Sequence, residues 1–340
     1  MKKAKNLYHK IAATENLYDA FRKAARGKRL RPDVVAFTAN FDANIKNLQS
    51  QLRNRSFNFA DYRFFTITDP KIRLICAAPF PERVLQHAVM NVCGDAFETY
   101  LIFDSYACRK NKGNAKALSR AQEFCRKNQW YLKLDIRKYF DSIDHEIALC
   151  LLERRFADKD LLHLFREIIC SYNQESGKGI PVGNLFSQYL ANHYLGCFDH
   201  WIKEDRKIRH YLRYMDDFIL FSNDKDALKN ELHHIVEFLQ TRLTLGLKPN
   251  IQLNKTLRGV PFLGQRLFPT HTRLLSEGIK RFSCRHREYE RKYRDGNWTV
   301  QKMVQHLDAL YAHVGSNDFL AMRRNFFGKF GVPFREALTE

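Results

Sequence analysis

The sequence predicts an α+β chain on three observations. Apolar residues recur at helical spacing through roughly the first sixty positions and again after about position 276. Between them lie short runs rich in aromatic and β-branched residues, at 57–79, 130–136, 211–222 and 259–268, which favour extended, half-buried backbone. Two of those runs carry carboxylates where a strand ends or turns: Asp135, and the adjacent pair Asp216-Asp217.

Composition bounds what such a chain does. Its 340 residues suffice for two domains or one multi-lobed one, and 45% hydrophobic content with 27 Phe and 15 Tyr can bury a substantial core. A net charge of +20 costs self-repulsion, so a polyanionic partner is expected. Nucleic acid fits better than a membrane, because no run approaches the roughly 18 consecutive apolar residues that span a bilayer. Met1-Lys2-Lys3-Ala4-Lys5 has the charge of a secretion signal, but Glu15, Asp19 and Arg22 interrupt what would have to be its apolar stretch. A cytoplasmic protein is the expectation. The eight cysteines are scattered without a Cys-x-x-Cys, which suits small buried hydrophobes better than a zinc site or a disulfide framework. His233-His234 falls on a helical pattern and reads as helix surface.

In order, Leu17, Phe21 and Ala24-Ala25, then Ile45, Leu48 and Leu52, mark helices joined by the basic loop Gly27–Pro32. Phe57 to Ile67 suggests strands, Asp69-Pro70 a turn, and Lys71-Ile72-Arg73-Leu74 a strand with its cations on one face. Two such cations could grip a triphosphate or guard an exposed edge, and the alternation alone does not choose. Pro81 to Phe103 reads as an apolar-periodic helix. The basic loop Asp104–Asn114 that follows suits backbone phosphates. Trp130–Ile136 is a strand ending in Asp135, and Asp144 is a suitable N-cap for a helix from His145 to Phe156. Gly177–Gln188 is a glycine-rich turn entering another helix. His210–Ser222 reads as a hairpin with Asp216-Asp217 at its tip, and residues 225–243 as a helix. Residues 259–268 suggest a strand pair, and the basic tail interleaves Tyr289, Tyr293 and Trp298 with cations, a pattern that can follow a nucleic-acid backbone.

A bare Asp-Asp pair is ordinarily turn chemistry. Joined by Asp135 from a second strand, it becomes a set of three hard oxygen donors. In-line phosphoryl displacement needs such a set to hold two divalent cations about 3.5–4 Å apart. The three together give a consistent palm-type polymerase site.

The ordered blocks, over roughly residues 57–268, resemble the reverse transcriptase motifs. Lys-Leu-Asp135-Ile-Arg-Lys-Tyr-Phe140 resembles the first catalytic motif and Tyr214-Met215-Asp216-Asp217 the second. The resemblance implies that Asp135, Asp216 and Asp217, with the backbone of Ile136, bind two Mg2+ ions, or Mn2+ in their place. It also implies that Phe140 excludes a ribose 2′-hydroxyl, that Arg73 with Lys71 holds the incoming triphosphate, and that Phe262-Leu263-Gly264 is the primer-grip hairpin. Lys248 is the candidate for the lysine that protonates pyrophosphate, with Lys255 competing. The implied fold is that of a right-hand polymerase, with fingers, a palm of antiparallel sheet and helices, and a helical thumb: 1–129 as N-terminal helices and fingers, 130–270 as palm with a helical insert at 145–180 contributing to fingers and palm, and 271–340 as a basic helical thumb.

Val182-Gly183-x-x-x-Ser187-Gln188, with Asp104-Ser-Tyr-Ala-Cys-Arg-Lys-x-Lys-Gly113 before it, is similar to the enzymes of diversity-generating retroelements. That likeness implies cDNA synthesis from a template-repeat RNA with errors directed to adenine. RNA template, DNA or RNA primer and dNTPs would be substrates, and a small basic helical protein an accessory partner. Val182, Gly183 and Gln188 would contact the templating base or incoming nucleotide. Phe186 departs from the Thr often found at its position. Related prokaryotic enzymes share much of the pattern, and a phage-defence, retron-like or other unclassified prokaryotic reverse transcriptase is the alternative. The chain is expected to carry the polymerase alone, without an RNase H or endonuclease segment.

Overall fold

A computed structural model describes residues 3–57, 59, 62–68, 72–313, 319, 324 and 326; Lys71 lies outside the described residues. The chain gathers into two compact groups, one of Met1–Gly113, Lys133–Leu220 and Lys229–Ile251, the other of Asn114–Leu132, Phe221–Leu228 and Gln252–Glu340.

In the first group, the amphipathic N-terminal stretch forms helices Tyr8–Ile11, Thr14–Ala25, Pro32–Ala39 and Phe41–Asn54. Leu17, Ala24, Ile45, Leu48 and Leu52 are buried as their spacing predicts. They pack on the Phe80–Glu98 helix, where Phe80 meets Phe21 and Phe37 at ring-centroid distances of 6.0 and 5.2 Å. That helix stops at Glu98, short of the expected Phe103. Tyr100 and Leu101 leave it on i→i+3 bonds, and the chain then turns so that Ser105 bridges Arg213 in parallel.

Strands β1 (Arg63–Ile67) and β2 (Arg73–Ala77) form an antiparallel ribbon. The expected separation of polar and apolar faces does not become burial. Phe64 and Leu74 are both more than half exposed, and only Cys76, at the root of the ribbon, is buried, because among the described residues no layer covers the rest of either face.

Strands β3 (Trp130–Asp135), β4 (Tyr211–Tyr214), β5 (Asp217–Ser222) and β6 (Gln252–Lys255) form a sheet of order β4-β5-β3-β6. The short, polar β6 carries no alternation that the sequence reading could detect. Helix His145–Arg155 is capped as expected, the Asp144 side chain accepting from the Ile147 N–H at 3.1 Å. With helices Lys159–Cys170 and Leu185–Tyr194 it encloses Phe97, Phe156, Phe165 and Phe186, all buried.

In the second group, β7 (Val260–Phe262), β8 (Gln265–Leu267) and β9 (Thr272–Leu274) form a three-stranded antiparallel sheet. One more strand is present than the pair expected. Helices Ser276–Arg294 and Val300–His313 share a core of Leu274, Phe282, Met303, Leu307 and Leu310, while Arg281, Arg287, Arg291 and Arg294 face solvent. No helix among the described residues is long and apolar enough to cross a membrane. All eight cysteines are free, but only Cys76, Cys93 and Cys125 are buried. The expectation that most are core residues fails because Cys108 sits in a loop and Cys150, Cys170 and Cys284 lie on outer helix faces.

Candidate active site

The site is assembled by two strand ends. In the β4–β5 hairpin Tyr214 pairs with Asp217, leaving Met215 and Asp216 as a two-residue tip. Met215 has φ of +59°, at a loop position that normally favours glycine. The Asp216 carbonyl accepts from the Ile136 N–H at 3.1 Å, which ties the tip to the end of β3. Lys248 N–H donates to the Asp135 carbonyl at 2.8 Å and Arg137 N–H to that of Gly246 at 2.8 Å, bringing the 246–248 segment alongside.

Two ammonium groups stand among the three carboxylates. Lys248 Nζ lies 2.6 Å from Asp135 Oδ1, and Lys133 Nζ lies 2.9 Å from Asp217 Oδ2. Asp217 Oδ1 is buried and accepts no hydrogen bond; Asp135 Oδ1 has its lysine beside it without hydrogen-bond alignment. Burial, then the neighbouring Asp135 and Asp216, raise the pKa of Asp217 from 3.8 to about 6, against the pull of Lys133. Asp216 is raised by burial and by Asp135, and lowered by Lys248 and Arg73. Arg73 is exposed on β2, within electrostatic reach of Asp216.

The raised pKa has a definite sign. A carboxyl that holds its proton more tightly folded than unfolded favours the fold below about pH 4, and that contribution is lost as pH rises through 6. The cost at neutral pH is on the order of 3 kcal/mol. In chelator, Asp217→Asn should therefore gain stability relative to wild type between about pH 4 and pH 6, measured by thermal unfolding across that range. Parallel curves for the two proteins would contradict the assignment.

Three aspartates suit a hard divalent cation, and the orphaned Asp217 Oδ1 and the mutual repulsion of the carboxylates are conditions a cation relieves. Among the described residues no cluster of three or more His, Cys, Asp or Glu is already drawn together as a metal cage. The Lys133 and Lys248 ammonium groups provide counter-charge there.

The remaining expected residues lie around this centre or apart from it. Tyr139 and Phe140 open the short helix Tyr139–Ser142; Tyr139 is buried, while Phe140 is partly exposed and its carbonyl accepts from the Ile180 N–H at 2.9 Å. The Val182 carbonyl accepts from the Cys76 N–H at 2.9 Å, which fastens the glycine-rich loop to the strand that carries Arg73. Gly183 has φ of +117°, and a Cβ there would stand 2.9 Å from Ile75 Cγ2 and 3.3 Å from the Cys76 carbonyl oxygen. Gly183→Ala should displace β2 and lower the unfolding free energy by about 1–3 kcal/mol in a urea titration. An unchanged midpoint would show that the loop has room to spare. Gln188 is partly exposed on helix Leu185–Tyr194. Lys255 sits over the Trp130 ring at 5.4 Å, whereas Lys248 touches Asp135. In the 104–114 loop Arg109 turns inward to Glu98 and to the Ile102 and Ser105 carbonyls, and with 7% of its side chain exposed it is not offered to a phosphate.

One group was missed by the sequence reading. Arg213 on β4 is fully buried, paired with the equally buried Asp199 at 2.6 Å and donating to the Met215 carbonyl at 2.9 Å. The signal was present: an arginine inside an apolar strand, two positions before the tip, must have a buried partner.

Comparison with known proteins places this chain among polymerases. The family model described as reverse transcriptase (RNA-dependent DNA polymerase) matches residues 68–267. The chain is 26% identical over 198 residues to nuclear intron maturase 4 of Arabidopsis thaliana, covering 56% of this chain and 24% of that protein. It is 31% identical over 139 residues to the retron Ec73 reverse transcriptase of Escherichia coli, covering 37% and 42% of the two. The chain thus spans about a quarter of the maturase and less than half of the retron enzyme. The telomerase of Candida albicans, solved with a fragment of telomeric RNA, superposes with a TM-score of 0.50 at 9% identity over 82% of this chain and 57% of that one, a likeness of fold.

Proposed function

The chain belongs to the reverse transcriptase (RNA-dependent DNA polymerase) family, and from that premise we propose that it extends a primer with dNTPs on an RNA template. The observation that carries this is the meeting of the end of β3 with the Asp216-Asp217 hairpin tip through the Ile136–Asp216 hydrogen bond. Asp135, Asp216 and Asp217, with the Ile136 backbone, would hold two Mg2+ ions, or Mn2+. Such ions, when bound, activate the primer 3′-oxygen and stabilise the leaving pyrophosphate. The 3′-oxygen forms the new bond to the α-phosphorus as the α–β bond breaks. Arg73, with Lys71, grips the triphosphate, and Lys248, beside Asp135, supplies a proton to the pyrophosphate. Phe140 stands against a ribose 2′-hydroxyl. Val182, Gly183 and Gln188 line the base pair being formed, joined to β2 by the Cys76–Val182 bond.

Within that activity our reading is cDNA synthesis from a template-repeat RNA, with errors directed to adenine, in a prokaryotic cytoplasm and with a small basic helical accessory protein. The Val182-Gly183-x-x-x-Ser187-Gln188 block supports it. A retron-like or defence role is the second reading, favoured by the 31% identity to a retron enzyme. Sequencing cDNA made by the purified protein, with and without a basic protein encoded beside it, separates the two. Substitutions concentrated opposite template adenines support the first reading, and errors spread evenly over the four bases support the second.

A further inference from the structure

The turn that presents Asp216 and Asp217 is held in an unfavourable conformation, and something must hold it there. Met215, a non-glycine residue at φ +59°, precedes the first of the two aspartates. Its carbonyl oxygen accepts a hydrogen bond from Arg213 Nη1 at 2.9 Å. The same guanidinium uses every other donor it has. Nε bonds Asp199 Oδ1 at 2.8 Å, Nη2 bonds Asp199 Oδ2 at 2.6 Å and the Asn192 carbonyl at 3.3 Å, and the second Nη1 hydrogen reaches Asn192 Oδ1 at 3.1 Å. An arginine has five N–H donors in a rigid plane, and here all five are taken. Tyr211, from the same strand, fixes Asp199 from the other side with its hydroxyl at 2.6 Å.

From this geometry we infer that Arg213 is the positioning residue of the catalytic turn: through Met215 it sets where the Asp216 and Asp217 carboxylates stand, without touching substrate or metal. The inference rests on the proposed polymerase reading for what those carboxylates do. The frame behind Arg213 is rigid on both sides. Asn192 and Asp199 come from helices Leu185–Tyr194 and Gly196–His200, and Asn192 Nδ2 is itself tied to the Ala107 carbonyl at 2.8 Å. The turn therefore has two bolts, Arg213 on the Met215 carbonyl and the Ile136 N–H on the Asp216 carbonyl. A lysine at 213 keeps the charge beside Asp199, but its single ammonium cannot bond that carboxylate, Asn192 and Met215 at once.

Arg213→Lys is the test, read first by Mn2+ binding to the purified, substrate-free protein in an electron paramagnetic resonance titration. Loss of a group that orients metal-holding residues weakens metal affinity or activity by about 10- to 100-fold. That weakening is expected for folded Arg213→Lys, together with a matching fall in kcat at unchanged KM for dNTP. Wild-type Mn2+ affinity in the folded variant would overturn the inference. Should Arg213→Lys fail to fold, Asn192→Ala removes one Nη1 acceptor, together with the Nδ2 bond to the Ala107 carbonyl, and leaves the Asp199 pair whole. Several-fold weaker Mn2+ binding then supports the positioning role, and wild-type binding overturns it. If wild type binds Mn2+ yet never extends a primer, the polymerase reading fails while the binding comparison still decides the role of Arg213.

Discussion

Asp216→Asn should reduce primer extension on an RNA template by at least about 10³-fold while leaving the fold intact. The change keeps the size of the side chain and the backbone carbonyl that accepts from Ile136, so the hairpin has no reason to move. What disappears is one of three negative charges at the meeting of β3 and the β4–β5 tip. That charge is costly to the free protein, since burial and Asp135 both raise the pKa of Asp216. A site that carries such a cost has a cation to gain from it, and Asn in its place offers only a neutral oxygen. Gel extension assays, with circular dichroism to verify folding, measure the effect. Extension within tenfold of wild type would remove Asp216 from the reaction.

The second large effect is on stability. Asp199→Ala should lower the unfolding free energy by about 3–5 kcal/mol, because it leaves Arg213 as a buried charge without its counter-ion. Both side chains are 0% exposed, so neither water nor salt can take the place of the lost partner. Burial pulls the guanidinium towards losing its proton, but Asp199, by charge and by hydrogen bonding, holds its pKa above the ordinary arginine value. Denaturant titrations of the variant and the wild type measure the difference. A loss below about 1 kcal/mol, the range of an exposed pair, would show that water reaches Arg213.

The two predictions differ in how far the sequence foretold them. Asp135 and Asp216-Asp217 are legible because chemistry of this kind needs carboxylates at strand ends and turns, and those positions carry a periodicity signal around them. The helices with a clear apolar stripe, Thr14–Ala25 and Phe41–Asn54, are legible for the same reason. The end of helix Phe80–Glu98 was not, because the apolar run continues past Glu98 through Leu101 and Ile102 while the chain turns into a bridge between Ser105 and Arg213, more than a hundred positions apart in the sequence. Strands β6 and β9 escaped for want of length: three or four residues give no alternation to count. The basic 104–114 loop suited backbone phosphates on its charge alone, because sequence shows the charge of Arg109 but not the Glu98 carboxylate and the two carbonyls waiting for it. Arg213 was hidden in the opposite way. Its neighbours Tyr211, Leu212 and Tyr214 announce a buried strand, and the charge within it makes sense only once Asp199 and Asn192, contributed by separate helices, are seen around it.

The central question is whether the three aspartates work as one metal-dependent site for making DNA on RNA. Single-nucleotide incorporation by the purified protein, on a DNA primer annealed to an RNA template and titrated with Mg2+, asks this directly. The expected result is incorporation of the complementary dNTP that is absent in chelator, rises with Mg2+ and is lost in Asp135→Asn as well as Asp216→Asn. Folded protein that incorporates nothing at any Mg2+ or Mn2+ concentration, or incorporation that survives the loss of either aspartate, would contradict it.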